Sequence, residues 1–262
     1  IMKEIEADVV IVGSGLVGLV AAHCLSSLKF NVALVDKKDF ADSNIDFKDT
    51  RTVAISEGSK QFLHKLSLWN DIKKHAEPIK MIKVFDRNPS NKIFFENAQT
   101  DKCLGYVVQN QKFSKILRDK IYKNKSIKLY YGSEVNKIST NKDFAKIFLN
   151  NEIIKTKLII AADGKNSFIR KLVGNQVYKK TYPESALVIN FFHEKPLNNT
   201  AYEIFYKTGP LAILPMKKYS KYFQSSIIWS NKNNFVQRLF SCNNKFITSV
   251  MKKGLIKLQA RY

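Results

Sequence analysis

The sequence predicts an α/β fold made of two intertwined domains, and three observations lead to this class. A strand, a glycine-rich turn, a helix and a second strand follow one another between Ala7 and Asp36. Apolar strand patterns return between residues 79 and 162, some of them as hairpins. From Tyr182 onward the pattern is mainly that of antiparallel strands. An α/β domain therefore takes segments from the first two-thirds of the chain, and a β-sheet domain takes the rest.

The glycine turn predicts a dinucleotide site in a Rossmann-like domain. Val9–Val12 has the β-branched pattern of a buried strand, and the run GSGLVG follows at residues 13–18. Gly13 permits a tight turn, Gly15 opens the backbone to a pyrophosphate, and Gly18 lets the helix lie close to the strand. The N-terminus of the helix presents free N–H groups to the phosphates.

The second strand ends in an acid that supports the same interpretation. Val32–Val35 is another buried strand pattern, and Asp36 follows it. Its carboxylate can accept hydrogen bonds from a ribose 2′-hydroxyl. The alternative, that the glycines serve only a tight turn, leaves Asp36 unexplained. Lys37 and Lys38 are candidates for a 2′-phosphate clamp, but the neighbouring acid repels a phosphate, so the sequence favours FAD or NAD over NADP.

Periodicity predicts the other elements. Residues 44–59 are predicted to be a polar loop that runs into an amphipathic helix over Phe62–Trp69. The other predicted helices are 19–28, 109–123, the segment entered at 163–170, 235–240 and 245–252. The other predicted strands are 79–85, 92–95, 104–108, 127–131, 134–139, 144–149, 157–162, 186–192, 201–206, 211–214, 223–229 and 255–262. We assign residues 1–77 and 99–180 to the nucleotide-binding domain and residues 78–98 and 181–262 to the β-sheet domain.

Charge and composition limit the classes of binding partner that we expect for this chain. The 262 residues carry a net charge of +22, but only six of the 44 basic residues are arginine, and the lysines are spread along the chain. This is typical of a compositional bias, so we predict no nucleic-acid partner. Contact with an anionic membrane surface fits better. No apolar run approaches the roughly 20 residues of a membrane span.

The cysteines and histidines predict neither a metal site nor disulfides. Cys24, Cys103 and Cys242 lie far apart, and the four histidines show no ligand spacing. We expect a reduced protein in the cytoplasm, peripheral on the inner membrane. No signal peptide is visible, and because the first residue is Ile1 we expect the start of the protein to be missing or unusually encoded.

Four stretches, taken in order, resemble the class A flavoprotein aromatic monooxygenases, and within them the ubiquinone-biosynthesis hydroxylases. The first is the glycine unit at residues 13–36. The second is DTRTVAIS at 49–56 with LSLW at 66–69. The third is LGYVVQN at 104–110, and the fourth is ADGKNSFIR at 162–170. GPLAILP at 209–215 is a weaker match. The resemblance implies an FAD/NAD(P)-binding fold of the glutathione-reductase type combined with a β-sheet substrate domain.

The resemblance also implies a set of FAD-binding residues. The glycine unit holds the ADP half, an arginine pairs with the pyrophosphate, and a polar pair lies near the flavin. A backbone group after a strand meets adenine, and an Asp-Gly pair meets the ribose of FAD and NAD(P)H. The resemblance places Gly13, Ser14, Gly15, Gly18 and Asp36 at the ADP half and Arg51 at the pyrophosphate. It places Gln109 and Asn110 near the flavin, the backbone of Val135 at adenine, and Asp163 and Gly164 at the ribose. No catalytic residue is assigned.

Simpler alternatives exist for several of these residues. Arg51 can be an exposed loop arginine, and Asn110 can be the N-cap of the helix that it opens. Asp163 and Gly164 can form only a turn, so their assignment depends on the resemblance. Arg170 is expected either to orient Asp163 or to attract the phosphate of NADPH.

By resemblance the chain is a flavin-dependent enzyme that uses NAD(P)H and O2 to hydroxylate the ring of a polyprenylated phenol. Phe191, Phe205 and Leu214 are candidates to line an apolar substrate site, although ordinary sheet core is the favoured explanation for any one of them. Other enzymes of ubiquinone biosynthesis are expected partners.

One departure from the family matters. Its second flavin motif, Gly-Asp-Ala-Ala-His, does not occur in these 262 residues, so we expect a C-terminally truncated form. The alternative hypotheses are a non-catalytic remnant that binds partner hydroxylases of the pathway and an NAD-dependent dehydrogenase. The β-rich half and the Asp163-Gly164 pair disfavour the dehydrogenase.

Overall fold

A computed structural model describes residues 2–40, 49–86, 91–98 and 102–249. The chain divides into two compact units. The first unit contains Ile1–Asp49, Lys60–His75 and Asn110–Lys179, and the second contains Thr50–Ser59, Ala76–Gln109 and Lys180–Tyr262. The predicted class, an α/β fold with added antiparallel sheet, is confirmed.

The described residues form the following elements. The helices are α1 Leu16–Ser27, α2 Glu57–Lys65, α3 Trp69–Lys73, α4 Asn110–Tyr122, α5 Phe168–Leu172 and α6 Asn233–Phe240, and residues 244–249 are also helical. The strands are β1 Lys3–Val12, β2 Val32–Asp36, β3 Thr52–Ser56, β4 Glu77–Ile79, β5 Met81–Phe85, β6 Lys92–Glu96, β7 Gly105–Gln109, β8 Ile127–Tyr131, β9 Lys137–Thr140, β10 Ala145–Phe148, β11 Glu152–Ala161, β12 Glu184–His193, β13 Thr200–Tyr206, β14 Gly209–Tyr219 and β15 Tyr222–Lys232.

The first unit is built on a six-stranded sheet in the order β8-β2-β1-β11-β10-β9. Its first four strands are parallel, and β10 and β9 continue the sheet as an antiparallel hairpin. Val9–Val12 and Val32–Val35 are buried throughout, which is typical of parallel strands covered on both faces. One apolar cluster joins Val10 and Val35 to Ile154 of β11 and Ile169 of α5.

The second unit contains two sheets. The larger has the order β12-β15-β14-β13-β5-β6, antiparallel except for the β13–β5 pair, and the smaller has the order β3-β7-β4. The two sheets meet through a cluster that includes Ile79, Val107 and Met216. Of the residues predicted to line a substrate site, Phe191 and Leu214 pack against core clusters, whereas the side chain of Phe205 is about half exposed.

The segment before α2 differs from its prediction. We expected a polar loop over residues 44–59, but Thr52–Ser56 is strand β3, paired antiparallel with β7. Residues 41–48 lie outside the described part. The pairing partner is fifty residues away in sequence, so a local pattern could not reveal it. The predicted helix over 62–69 is also interrupted, because α2 ends at Lys65 and Ser67 takes a left-handed φ of 58° before α3.

The division into units also differs from the predicted domain boundaries. Residues 50–59 and 102–109 fall in the second unit, because β3 and β7 pair with each other and β7 pairs with β4. The predicted strand over 79–85 is divided in the structure between the end of β4 and β5, and these two strands belong to different sheets. The predicted strand over 255–262 lies outside the described residues. Within the described part of the chain, every helix is too short or too polar to cross a membrane.

Candidate functional site

The candidate site lies in the first unit at the carboxyl ends of β1 and β11. These strands are parallel neighbours, and Val12 is paired with Ala161. From β1 the chain continues through α1 to β2, which is the neighbour of β1 within the sheet on one side. Strand β11 is the neighbour of β1 on the other side. This is a switch point of strand order, where open α/β sheets bind ligands. Backbone bonds fix the turn, since Gly13 N donates to Val35 O at 2.8 Å and Ala162 N donates to Val12 O at 2.7 Å.

The three glycines of the turn have different environments. Gly13 has a φ of 103°, and a Cβ on it would lie 2.4 Å from the carbonyl oxygen of Ala162. A Cβ on Gly18 would lie 1.8 Å from the carbonyl oxygen of Gly13. A Cβ on Gly15 would meet nothing within 4 Å. Gly13 and Gly18 are therefore required by packing within the protein, whereas Gly15 leaves its backbone open on the outer side of the turn.

The N-terminus of α1 follows this open backbone. Gly15 is its N-cap, without a side-chain hydrogen bond, and the first turn of the 12-residue helix contains no acidic residue. The first amides of a helix have no partner within the helix, and the helix dipole makes this end positive. Such a turn fits a phosphate group.

Asp36 points toward the same turn. Its Oδ2 accepts hydrogen bonds from Ser14 N at 2.7 Å and from Ser14 Oγ at 2.6 Å, and its Oδ1 accepts one from Lys38 N at 2.9 Å. Ser14 is buried, with 2% of its surface exposed. The carboxylate therefore fixes the conformation of the glycine turn and lies where the ribose of a bound dinucleotide would follow the phosphates.

An aromatic group next to Asp36 was missed by the sequence analysis. Tyr131 ends β8 and is paired with Asp36, and its ring meets Phe40 edge-on at 5.0 Å. The guanidinium of the buried Arg118 lies 5.1 Å from the centre of the Phe40 ring. Burial is the largest cause of a raised pKa at Tyr131, and the Asp36 carboxylate adds to it. The only signal in the sequence was the position of Tyr131 at the carboxyl end of a predicted strand.

The segment after β8 runs beside Asp36. Gly132 N donates to Lys38 O at 3.2 Å, and Ser133 N donates to Asp36 O at 3.1 Å. The side chain of Val135 is buried in the apolar cluster that contains Val10 and Val35. Val135 is therefore held close to this end of the sheet, and its role toward adenine stays a prediction.

Asp163 follows β11 and caps α5. Its Oδ2 accepts hydrogen bonds from Phe168 N at 2.6 Å and Ile169 N at 3.1 Å, while its buried Oδ1 has no partner among the described residues. Burial by itself raises the pKa of this carboxyl, but the hydroxyl of Ser167 and the two amides outweigh burial and hold the pKa below its ordinary value. Gly164 has a φ of 87° and open space around it.

Arg170 does not orient Asp163 by direct contact. Its guanidinium donates to Lys165 O at 3.0 Å and so holds the loop between β11 and α5. The pairing with Asp163 that the sequence suggested is replaced by the amides of Phe168 and Ile169, because Ser167 starts the helix close to the carboxylate.

The lowered pKa of Asp163 predicts a pH effect on stability. A carboxyl whose pKa is lower in the folded chain stabilises it above the unfolded pKa, and this contribution is lost as the pH falls through the folded pKa. The unfolding free energy of the wild type should therefore fall more steeply below about pH 4 than that of Asp163→Asn. Urea unfolding at a series of pH values measures this. Parallel curves for the two proteins below pH 4 would contradict it.

The other predicted FAD contacts are divided between the units. Asn110 begins α4 in the first unit, and its buried Oδ1 has no partner among the described residues, so it does not act as an N-cap acceptor. Arg51 and Gln109 belong to the second unit. There Gln109 is paired with Thr52, which places Arg51 beside the end of that pair. The roles of these three residues toward FAD stay predictions.

The residues of the first unit fit the ADP half of FAD. Gly15 leaves the backbone open where a phosphate approaches, and the uncapped amides of α1 supply donors. The buried Oδ1 of Asp163 is an acceptor that no described residue satisfies. Asp36 ends β2 and Asp163 follows β11, the two strands on either side of β1, and both suit hydroxyl groups rather than a second phosphate.

Comparisons with known proteins agree with this geometry. The family model described as "FAD binding domain" matches residues 6–238. The ubiquinone hydroxylase UbiL of Rhodospirillum rubrum is 26% identical over 236 residues, which is 90% of this chain and 54% of that protein. The ubiquinone biosynthesis monooxygenase COQ6 of Caenorhabditis elegans is 30% identical over 248 residues, with 88% and 54% covered. This chain thus spans about half the length of these relatives.

A solved structure shows the same fold. The p-nitrophenol 4-monooxygenase PnpA from Pseudomonas putida superposes with a TM-score of 0.74 at 18% sequence identity, covering 96% of this chain and 62% of that one. At this identity the likeness concerns the fold alone.

Proposed function

Since this chain belongs to the FAD binding domain family, we propose that it holds the FAD of a flavin-dependent ring hydroxylase in ubiquinone biosynthesis. The substrate class is a polyprenylated phenol, the reductant is NAD(P)H and the oxidant is O2. The names of the relatives support this class, since the similar proteins UbiL and COQ6 are a ubiquinone hydroxylase and a ubiquinone biosynthesis monooxygenase. Other enzymes of that biosynthesis are proposed partners.

The observation that carries the proposal is the turn after β1. Gly15 leaves its backbone open, and the Asp36 carboxylate holds Ser14 at 2.6 and 2.7 Å beside it. In this proposal the amides at the start of α1 bind the pyrophosphate of FAD and Asp36 accepts from the ribose. Asp163 Oδ1 accepts from a further hydroxyl group of the cofactor.

The chemistry divides between cofactor and protein. Bound FAD would supply the redox chemistry, namely hydride acceptance from NAD(P)H and activation of O2 for oxygen transfer to an electron-rich ring. The residues of this chain orient the cofactor and keep its phosphates on the backbone of α1. Asp36 disfavours a 2′-phosphate there, because two negative charges would approach each other in a partly buried place.

Binding experiments on the 262-residue chain test the proposal. Flavin absorbance and fluorescence should report saturable FAD binding that AMP displaces. Adenosine 2′,5′-bisphosphate should displace FAD at least about tenfold less well, because Asp36 repels the 2′-phosphate. Failure to bind FAD would overturn the proposal, and equal competition by the two nucleotides would remove Asp36 from its role.

The reaction is tested separately. Oxidation of NAD(P)H should depend on added FAD and on a phenol that carries a short prenyl chain. Saturable FAD binding without such oxidation would favour the alternative of a non-catalytic, partner-binding remnant.

A further inference from the structure

The hairpin that joins β14 to β15 in the second unit has an unusual tip. Its last cross-strand pair is Tyr219 with Tyr222, and Ser220 takes a left-handed φ of 52° in the two-residue connection. The segment Lys217–Tyr222 reads KKYSKY. Together with Phe192 near the end of the adjacent strand β12, we call it the basic-aromatic tip. None of the FAD-binding assignments uses it.

Three aromatic rings of the tip are exposed together. The exposed fractions are 56% for Phe192, 69% for Tyr219 and 44% for Tyr222. The ring of Phe192 lies 6.1 Å from that of Tyr219 and 6.3 Å from that of Tyr222. Single exposed apolar side chains are ordinary, but a contiguous group marks a contact surface. Tyrosine is also suited to a boundary between apolar and wet surroundings.

Three lysines belong to the same hairpin tip. Lys217, Lys218 and Lys221 are all exposed. The ammonium of Lys221 lies 5.3 Å from the centre of the Tyr222 ring, and that of Lys218 lies 4.9 Å from the centre of the Phe223 ring. Long lysine stems can cover apolar surface while their charged ends stay in water.

The sequence that follows β13 supplies no acid to offset this charge. No Asp or Glu occurs between Ile204 and Tyr262, a stretch that contains β14, β15 and α6. Glu77 of β4 interacts electrostatically with Lys217, and Glu194 after β12 is followed in sequence by Lys195. The end of the hairpin therefore carries both exposed lysines and the three exposed aromatic rings.

We propose that the basic-aromatic tip docks the chain on an anionic lipid bilayer. Lysines near such a surface are attracted to acidic headgroups, and aromatic rings insert at the headgroup level. A second copy of the chain fits less well, because a symmetric contact would bring the three lysines against their own copies. Duplex nucleic acid would use the lysines but not the exposed apolar rings.

Vesicle co-sedimentation with the full chain tests the proposal, without flavin or substrate, so it is independent of the proposed reaction. We expect binding to vesicles that contain phosphatidylglycerol and much weaker binding to phosphatidylcholine alone. Replacing Lys217, Lys218 and Lys221 by Gln should weaken binding roughly 100-fold, about fivefold for each lysine. Tyr219→Ser with Tyr222→Ser should weaken binding to the same vesicles at unchanged net charge.

A matched control separates a local surface from diffuse charge. Lys123, Lys125 and Lys128 are exposed in the first unit, and replacing them by Gln removes the same charge. This control should bind vesicles nearly as the wild type does. Equal losses in the two triple variants, no binding of the wild type to anionic vesicles, or no effect of the tyrosine changes would each overturn the proposal. Thermal unfolding midpoints, compared with the wild type, show that the variants remain folded.

Two further measurements exclude the other occupants. Gel filtration should show no change in oligomeric state between the wild type and the tip-lysine variant. Duplex DNA should not compete with vesicles at equal phosphate concentration. A dimer that the tip variant dissociates, or full competition by DNA, would assign the tip to a different partner and overturn the lipid proposal.

Discussion

Replacing Gly18 by alanine should abolish FAD binding and destabilise the chain, whereas replacing Gly15 by alanine should weaken FAD binding in a chain that stays folded. A Cβ on Gly18 would overlap the carbonyl oxygen of Gly13 at 1.8 Å, so α1 must move away from the turn. Overpacking of this kind costs roughly 3 kcal/mol. The amides at the start of α1 would move with the helix.

Gly15 has a different environment. Its φ of −68° and ψ of 178° are open to alanine, and an added Cβ meets nothing within 4 Å of the protein. The stability change should therefore stay within about 1 kcal/mol. The methyl group would instead meet the approaching pyrophosphate, and loss of one or two charge-assisted hydrogen bonds weakens FAD binding about 100-fold.

Urea unfolding and FAD titration of the two variants measure these effects. Gly58→Ala is the matched control, because Gly58 lies in α2 and a Cβ there also meets nothing within 4 Å. It should leave FAD affinity unchanged and raise the unfolding free energy by up to about 1 kcal/mol. A stable Gly18→Ala protein, or a Gly15→Ala protein with wild-type FAD affinity, would show that our description of the turn is wrong.

Replacing Asp36 by alanine should produce the second large effect. The change leaves the amide and hydroxyl of Ser14 without their acceptor, although Ser14 is only 2% exposed. An unsatisfied buried donor costs about 1–3 kcal/mol, so the unfolding free energy should fall by that amount. FAD affinity should fall about 100-fold, because the ribose loses its acceptor and the turn loses its support.

Asp36→Asn separates the role of Asp36 in supporting the turn from the role of its negative charge in nucleotide discrimination. The amide oxygen can still accept both hydrogen bonds from Ser14 but the bond from Lys38 N is lost, so stability should recover in part. The discrimination against adenosine 2′,5′-bisphosphate should decrease with the lost charge. The matched control is Asp8→Ala. Asp8 Oδ2 also accepts a hydrogen bond from a backbone amide, that of Asn31 at 2.8 Å, but this contact lies at the other end of β2. Loss of FAD affinity in the Asp8 variant comparable to that in the Asp36 variant would contradict the assignment.

The glycine unit was predictable because it is local. Strand, turn, helix, strand and acid occupy residues 7–36, and each glycine has a role that follows from chain geometry alone. The structure places them as β1, α1 and β2, and the packing around Gly13 and Gly18 agrees with the predicted roles. Strands with their partners close in sequence, such as β9 and β10, were also anticipated.

Strand β3 was not predictable in the same way. Thr52–Ser56 pairs with Gly105–Gln109, about fifty residues further along, and the short apolar pattern is equally compatible with a loop or the start of a helix. The domain boundaries shifted for the same reason. A strand gains its hydrogen bonds only from a neighbour, and its own sequence does not say which neighbour it will have.

The sequence by itself determined the dinucleotide turn, the acid at the end of β2 and the α/β class, because these depend on contacts within about thirty residues. Only the tertiary structure placed Asp163 beside Gly13, through the pairing of β1 with β11, and gathered Phe192, Tyr219 and Tyr222 into one exposed surface. Such contacts join residues far apart in the chain, and strand pairing over the whole sheet decides them rather than local preference.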